Sequence, residues 1–224
     1  MRTNLKIRAF YDALLAAYGP QGWWPAQSPL EMAVGAILTQ NTNWKNVERA
    51  IANLQREGLL NVAALAAAPP ERLAEVIRPA GYFRIKAQRL KNFVGMIVRD
   101  FGGDFDSLLS CGTSSLREAV LAVRGIGPET ADSIVLYAAH RPVFVVDAYT
   151  ARILFRHGVV DSDATYDDIQ STMQGALDED VTVFQEYHAL LVAAAKAHCK
   201  KRAPECPGCP LEGLLEDGQP VREV

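Results

Sequence analysis

Gly125-Ile126-Gly127-Pro128 interrupts two amphipathic stretches within AVRGIGPETADSIVLYAAH. Glycine admits positive φ and close approach to the backbone, and proline opens a helix at a position whose N–H needs no partner. Ile126 would point inward and lock the corner to the core. The turn would then present main-chain N–H groups at a helix start, where a phosphate oxygen can sit. A helix–helix corner with no ligand is the alternative. Downstream, Pro142-Val143-Phe144-Val145-Val146 is apolar and β-branched, and Asp147 stands directly before Ala148-Tyr149-Thr150-Ala151-Arg152. An aspartate there is most simply a helix N-cap.

Two further groups stand out. Cys199, Cys206 and Cys209 have the spacing C-x6-C-x2-C in a tail rich in Pro and Gly. In a reducing compartment such thiols read as metal ligands rather than disulfides. All three tryptophans, Trp23, Trp24 and Trp44, flank Leu38-Thr39-Gln40-Asn41-Thr42. Arg84, Lys86, Arg89 and Lys91 make one basic run, and Lys196, Lys200, Lys201 and Arg202 another. Such runs are usually solvated helix faces.

The elements that must position these groups are helical almost throughout. Apolar periodicity marks helices over 5–18, from about 44 to 57, near 61–68 and 70–77, and from 82 to 101, where Gly102-Gly103 stops the last. Ser28-Pro29-Leu30-Glu31 is a helix start, and Ser115 with Glu118 repeats the capping-box pattern. Helices also fit 148–157, 165–177 and 181–197, the last with Val183, Phe184, Tyr187, Leu190, Leu191 and Ala194 on one stripe. The five-residue run before Asp147 cannot make a sheet, so it reads as a buried extended link.

With 224 residues, 49% hydrophobic and 22% charged, the chain excludes a disordered, collagen-like or disulfide-miniprotein class. No apolar run reaches the ~18 residues of a membrane span, and the N-terminal stretch lacks a signal-peptide pattern, so a cytoplasmic protein is expected. The net charge of −3 argues mildly against non-specific polyanion binding, although neutral N–H groups at the glycine turn could still hold DNA.

VRGIGPETADSIVLYA followed by VFVVDAYTARIL, with LTQNT at 38–42 and the late cysteines, resembles the helix-hairpin-helix DNA glycosylases of the endonuclease III superfamily over roughly residues 28–214. The block WWPAQSPLEMAVGAILTQNTNW is similar to its 3-methyladenine glycosylase branch. The resemblance implies an all-α, two-lobed fold with a central cleft and a C-terminal cysteine loop. One lobe would span 26–141 and hold the hairpin; the other would combine 1–25 with 142–224. It implies a monomeric enzyme acting on double-stranded DNA that contains a damaged base.

Residue by residue, the resemblance makes Asp147 the catalytic carboxylate. Breaking an N-glycosidic bond develops positive charge on the deoxyribose, which an ionised carboxylate stabilises, and the same group can activate water. Bifunctional members carry a lysine eighteen residues earlier, and that position is Glu129, which cannot form an imine. Glu129 is therefore counted with Asp147 among the candidate catalytic residues, and a monofunctional enzyme without lyase activity is expected. Its simpler reading is a first-turn acid favoured by the helix dipole. Trp24, Pro25 and Trp44 would sandwich the flipped base, which suits a cationic alkylated purine. Gln40 would fill the space the base vacates. Gly125, Ile126, Gly127, Thr130, Lys200 and Lys201 complete the candidate DNA contacts. Cys199, Cys206 and Cys209 would ligate a [4Fe-4S] cluster, but the fourth family position is Leu215. A cluster with a non-cysteine fourth ligand, zinc completed by His198, or no metal all stay open, and no metal takes part in the expected chemistry. A mismatch or oxidised-base glycosylase, or a DNA-binding module without catalysis, are the alternatives.

Overall fold

The computed structural model describes residues 3–221. Among them run α1 (Thr3–Tyr18), α2 (Pro29–Thr39), α3 (Trp44–Arg56), α4 (Val62–Ala67), α5 (Pro70–Val76), α6 (Phe83–Phe101), α7 (Phe105–Leu109), α8 (Thr113–Leu121), α9 (Pro128–Ser133), α10 (Ala148–Arg156), α11 (Tyr166–Ala176) and α12 (Val181–Ala197), with no strand among the described residues. Two compact units form, Trp24–Arg141 and Met1–Trp23 with Pro142–Val224. Residues 1–2 and 222–224 of the expected division lie outside the described residues.

In the unit Trp24–Arg141, α2 is buried along its length from Met32 to Leu38, the pattern of a helix enclosed by its neighbours. Ser28 caps it by accepting the Glu31 N–H at 3.1 Å, with Pro29 at the first position. Helices α3, α6 and α9 surround it, and α6 in turn carries α4 and α5. The end of α2 is closed by a buried cation. Lys86 of α6, 1% exposed, donates to Leu38 O at 2.9 Å and to Ala80 O at 2.7 Å. Burial, with a contribution from Arg89, lowers its pKa to about 8.

One local expectation is corrected. Helix α8 begins at Thr113 after Gly112 and has no side-chain cap bond, so Ser115 and Glu118 lie inside the helix and form no capping box. Ser114 Oγ donates to Glu118 Oε1 at 3.1 Å instead. Helix α7, capped by Asp104, has five residues, too few to show a period in sequence.

In the other unit, α1 packs on α11 and α12, and α10 on α12. The link before Asp147 is extended and buried at Phe144, Val145 and Val146. A strand-like segment without a sheet must find its backbone partners elsewhere. Here α11 supplies them from side chains: Gln174 Oε1 accepts the Phe144 N–H at 2.8 Å, and Gln170 Nε2 donates to Phe144 O at 2.7 Å. Tyr166 OH accepts the Val146 N–H at 3.3 Å. These bonds fix the segment that delivers Asp147.

Replacing Lys86 with Met keeps the side-chain length but strips two buried carbonyls of their donor. Denaturant unfolding is expected to show a loss of about 1–3 kcal/mol; an unchanged midpoint would mean that these carbonyls find other donors.

Candidate active site

The hairpin joins α8 to α9, and α9 continues into a π turn over Ile134–Ala138. Gly125 has φ +97°, and a Cβ there would lie 2.6 Å from Arg89 Cγ, so glycine is required both by conformation and by space. Gly127 is extended at φ −100° with open surroundings, so its backbone shape does not demand glycine. Ile126 is 7% exposed and its N–H donates to Val123 O at 3.0 Å. The backbone of Gly125 and Gly127 is exposed, while Ile126 is turned into the core.

Thr130 is buried, and its Oγ1 accepts from Gln40 Nε2 at 2.9 Å. Gln40 Nε2 also reaches Gly125 O at 3.4 Å, and Gln40 Oε1 accepts from Arg89 Nη1. The side chain expected to enter a duplex is thus tied to the hairpin. Arg89 was read only as one member of a basic run, because a pairing across 49 residues leaves no local signature. Glu129 is exposed in the first turn of α9, where the helix dipole favours an acid.

Trp24 and Trp44 are brought together, but not as parallel plates. Their rings meet edge to face at 5.0 Å and 85°, and Tyr137 of the π turn lies 5.4 Å from Trp24 at 55°. The two indoles stand nearly perpendicular, whereas a sandwich would need them parallel. Both stand on Gly35 of α2, where an added Cβ would touch Trp24 at 3.6 Å and Trp44 at 3.8 Å. A cavity of about 170 Å³ opens beside them, lined by Pro25, Glu31, Glu48 and Gln55 among others. Tyr137 escaped the sequence reading because a π turn redirects side chains that a 3.6-residue period would send elsewhere. Tyr82, at the start of α6, is 68% exposed with φ +44°, a left-handed backbone unusual for an aromatic residue.

In the other unit, Asp147 caps α10, its Oδ1 accepting the Thr150 N–H at 2.7 Å. Its Oδ2 lies 3.5 Å from His188 Nε2 on α12. The Asp147 side chain is 12% exposed and so still reaches solvent, while that of His188 is 6% exposed. Burial alone would raise the Asp147 pKa. The hydrogen bond and charge of His188, together with the Thr150 N–H, outweigh it and hold the carboxyl below its ordinary value. His188 was not singled out from sequence, since it sits on the apolar stripe of α12 beside Tyr187.

The cysteine loop lacks the fourth thiolate of a four-cysteine [4Fe-4S] site. Cys199, Cys206 and Cys209 offer three thiols, position 215 is Leu, and among the described residues no three His, Cys, Asp or Glu groups are placed to hold a metal. A guanidinium occupies the first cysteine: Arg156 Nη1 donates to Cys199 Sγ at 3.2 Å and to Lys200 O at 2.6 Å, and Nη2 to Lys201 O at 2.9 Å. Arg152 Nε donates to Cys199 O at 2.7 Å. His198, the expected completion of a zinc site, has Nδ1 3.2 Å from Glu205 O. The residues present do not fit a four-thiolate cluster, and two arginines of α10 hold the loop. Lys201 is exposed beside it, and Lys200 Nζ turns back to donate to Lys196 O.

Anaerobically purified protein is therefore expected to be colourless and to contain far less than stoichiometric iron. A visible iron–sulfur absorbance with iron bound in proportion to protein would contradict the fit described above.

Residues 34–179 match the family model of the HhH-GPD superfamily base excision DNA repair proteins. A protein of Methanocaldococcus jannaschii named a DNA repair glycosylase is 46% identical over 213 residues, covering 92% of this chain and 94% of that one. Endonuclease III of Bacillus subtilis is 28% identical over 193 residues, with 86% and 83% covered. Among solved structures, the Helicobacter pylori 3-methyladenine DNA glycosylase bound to 1,N6-ethenoadenine aligns with TM-score 0.74 and 27% identity over 88% of this chain and 98% of that chain. A trapped endonuclease III–DNA covalent intermediate shares the fold at TM-score 0.82 and 22% identity, covering 97% of this chain and 98% of that chain. The chain belongs to the HhH-GPD superfamily of base excision repair and is a DNA glycosylase of that superfamily.

Proposed function

We propose that this glycosylase removes an alkylated purine of the 3-methyladenine type by hydrolysis and leaves the abasic strand uncut. The observation that carries this reading is the Asp147 carboxylate, kept ionised although only 12% of its side chain is exposed. Alkylation at N3 or N7 makes the purine cationic, so it departs neutral, taking the electron pair of the C1′–N bond. Positive charge then grows on the deoxyribose, where a nearby anion lowers the barrier. Water adds its oxygen to C1′ and gives up a proton, which the carboxylate can accept.

Glu129 supports the absence of a lyase step, because a carboxylate at the expected lysine position supplies no amine for a Schiff base. The aromatic group supports the choice of base. Trp24, Trp44 and Tyr137 offer π faces, and Glu31 and Glu48 place negative charge on the adjoining cavity. A cationic ring gains from both. The likeness to the H. pylori enzyme, named for 3-methyladenine, points the same way. Exposed backbone at Gly125 and Gly127, and Lys201, would meet DNA phosphates, with the exposed Tyr82 ring free to stack on a base. Gln40 would have to leave Arg89 and Thr130 to enter the duplex.

Chromatography of bases released from methylated, deaminated and oxidised DNA tests the reading. Methylpurines are expected from the methylated substrate alone. Asp147→Asn keeps a good N-cap while removing the charge, and is expected to slow release by on the order of 100-fold or more. Trp24→Ala and Trp44→Ala are each expected to weaken damaged-base binding by about 1–3 kcal/mol. Release of thymine, uracil or an oxidised base instead would overturn the substrate assignment, and binding without release of any base would leave a DNA-binding module.

A further inference from the structure

Beyond Asp147 itself, the most informative buried group is His188. It lies on α12 in the stripe that buries Phe184, Tyr187, Leu190, Leu191 and Ala194. A histidine in an apolar stripe is desolvated at a loss unless a polar partner meets it. Here Nε2 faces Asp147 Oδ2 at 3.5 Å, with both side chains nearly closed off from water. The other carboxylate oxygen is held by the Thr150 amide at 2.7 Å. The two oxygens are thus engaged from opposite sides, by the first turn of α10 and by α12. Rotation of the carboxyl group breaks one contact or the other.

Other charged groups on the packed elements are committed elsewhere. On α1, Lys6 donates to His157 O and pairs with Glu216 at 3.0 Å, and Arg8 donates to Ala176 O at 2.8 Å and pairs with Asp178. Asp12 of α1 is exposed. On α10, Arg152 and Arg156 bind the carbonyls of the cysteine loop. On α12 itself, Glu186 accepts the Gln21 N–H at 2.6 Å and Lys196 lies over the Trp23 ring at 5.6 Å. Among the described residues, His188 is the side chain from another helix that faces the Asp147 carboxylate.

We propose that His188 is a positioning residue for base release: its imidazole, directed at Asp147 Oδ2, fixes the carboxylate's orientation against the first turn of α10. The proposal rests on the reading of Asp147 as the catalytic carboxylate. His188 need not touch DNA. It acts through Asp147, so its removal is felt in the chemical step and in the pH range over which that step runs, not in affinity. The sign follows from charge: without the imidazole the anion loses stabilisation, so protonation of Asp147 begins at higher pH and the acid limb of the rate profile moves up.

Single-turnover release of methylpurines from methylated DNA, followed across pH for wild type, Asp147→Asn, His188→Leu and His188→Gln, tests it. Glutamine restores an N–H near the position of Nε2 but carries no charge. For His188→Leu the neutral-pH rate is expected to fall by on the order of 100-fold, the effect of a misplaced reacting group. Its acid limb should shift to higher pH while the Kd for the same DNA is unchanged. His188→Gln is expected to recover most of the neutral rate with the acid limb still displaced; being polar and similar in reach, it also serves if the leucine variant fails to fold. Equal losses in the two variants with an unmoved acid limb would reduce His188 to a packing role and overturn the proposal. A wild-type rate in His188→Leu beside an inactive Asp147→Asn would overturn it while leaving the catalytic reading intact. Full activity in Asp147→Asn would overturn both.

Discussion

Asp147 must keep a negative charge in a place that is nearly dry. A lone carboxylate there would take up a proton, because burial penalises the charged form. Two groups of the surrounding unit counter this, the Thr150 amide at the start of α10 and the imidazole of His188, and a bonded approach segment places the carboxyl between them. That segment is the apolar link ending at Val146, whose main chain is bonded by Gln170, Gln174 and Tyr166 of α11 rather than by another strand. Helix packing, helix capping and side-chain bonding to a strand-like link thus converge on one charged group. The rest of the unit is organised to make that convergence rigid.

The unit that carries the hairpin meets a different demand, which is to expose backbone without loosening the turn. Gly125 bends in a conformation that other residues adopt at a penalty, and Arg89 fills the space that a side chain there would take. Gln40 and Thr130 complete the brace, and Lys86 closes the adjoining helix end from within the core. Much of the basic run on α6 is therefore internal scaffolding. Lys86 is buried against two carbonyls, and Arg89 is spent on Gln40. A basic run in sequence therefore need not be a basic surface: Lys86 and Arg89 serve the shape of the unit, and the backbone at Gly125 and Gly127 stays exposed.

What the residues disclosed in advance follows a physical line. Helices long enough to repeat their apolar period, and the cap at Ser28, were legible because their signals are local. The Asp147 cap was legible for the same reason. Pairings over long separations were not: Arg89 with Gln40, Lys86 with Leu38, His188 with Asp147, and Arg156 with Cys199 involve side chains that any helix face can carry. The π turn hid Tyr137, and the perpendicular setting of Trp24 and Trp44 is a rotamer outcome that adjacency in sequence does not fix. The cysteine spacing suggested a ligand set, yet Leu215 and the two arginines of α10 give the loop a different means of support.

The most direct measurement concerns the strand after the base has gone. A duplex with one methylated purine, incubated with the protein and resolved on a denaturing gel, is expected to stay intact until hot alkali is added, and borohydride is expected to trap no protein on DNA. Strand cleavage without alkali, together with a borohydride-trapped adduct, would show an amine nucleophile at work and contradict hydrolysis driven by Asp147 alone.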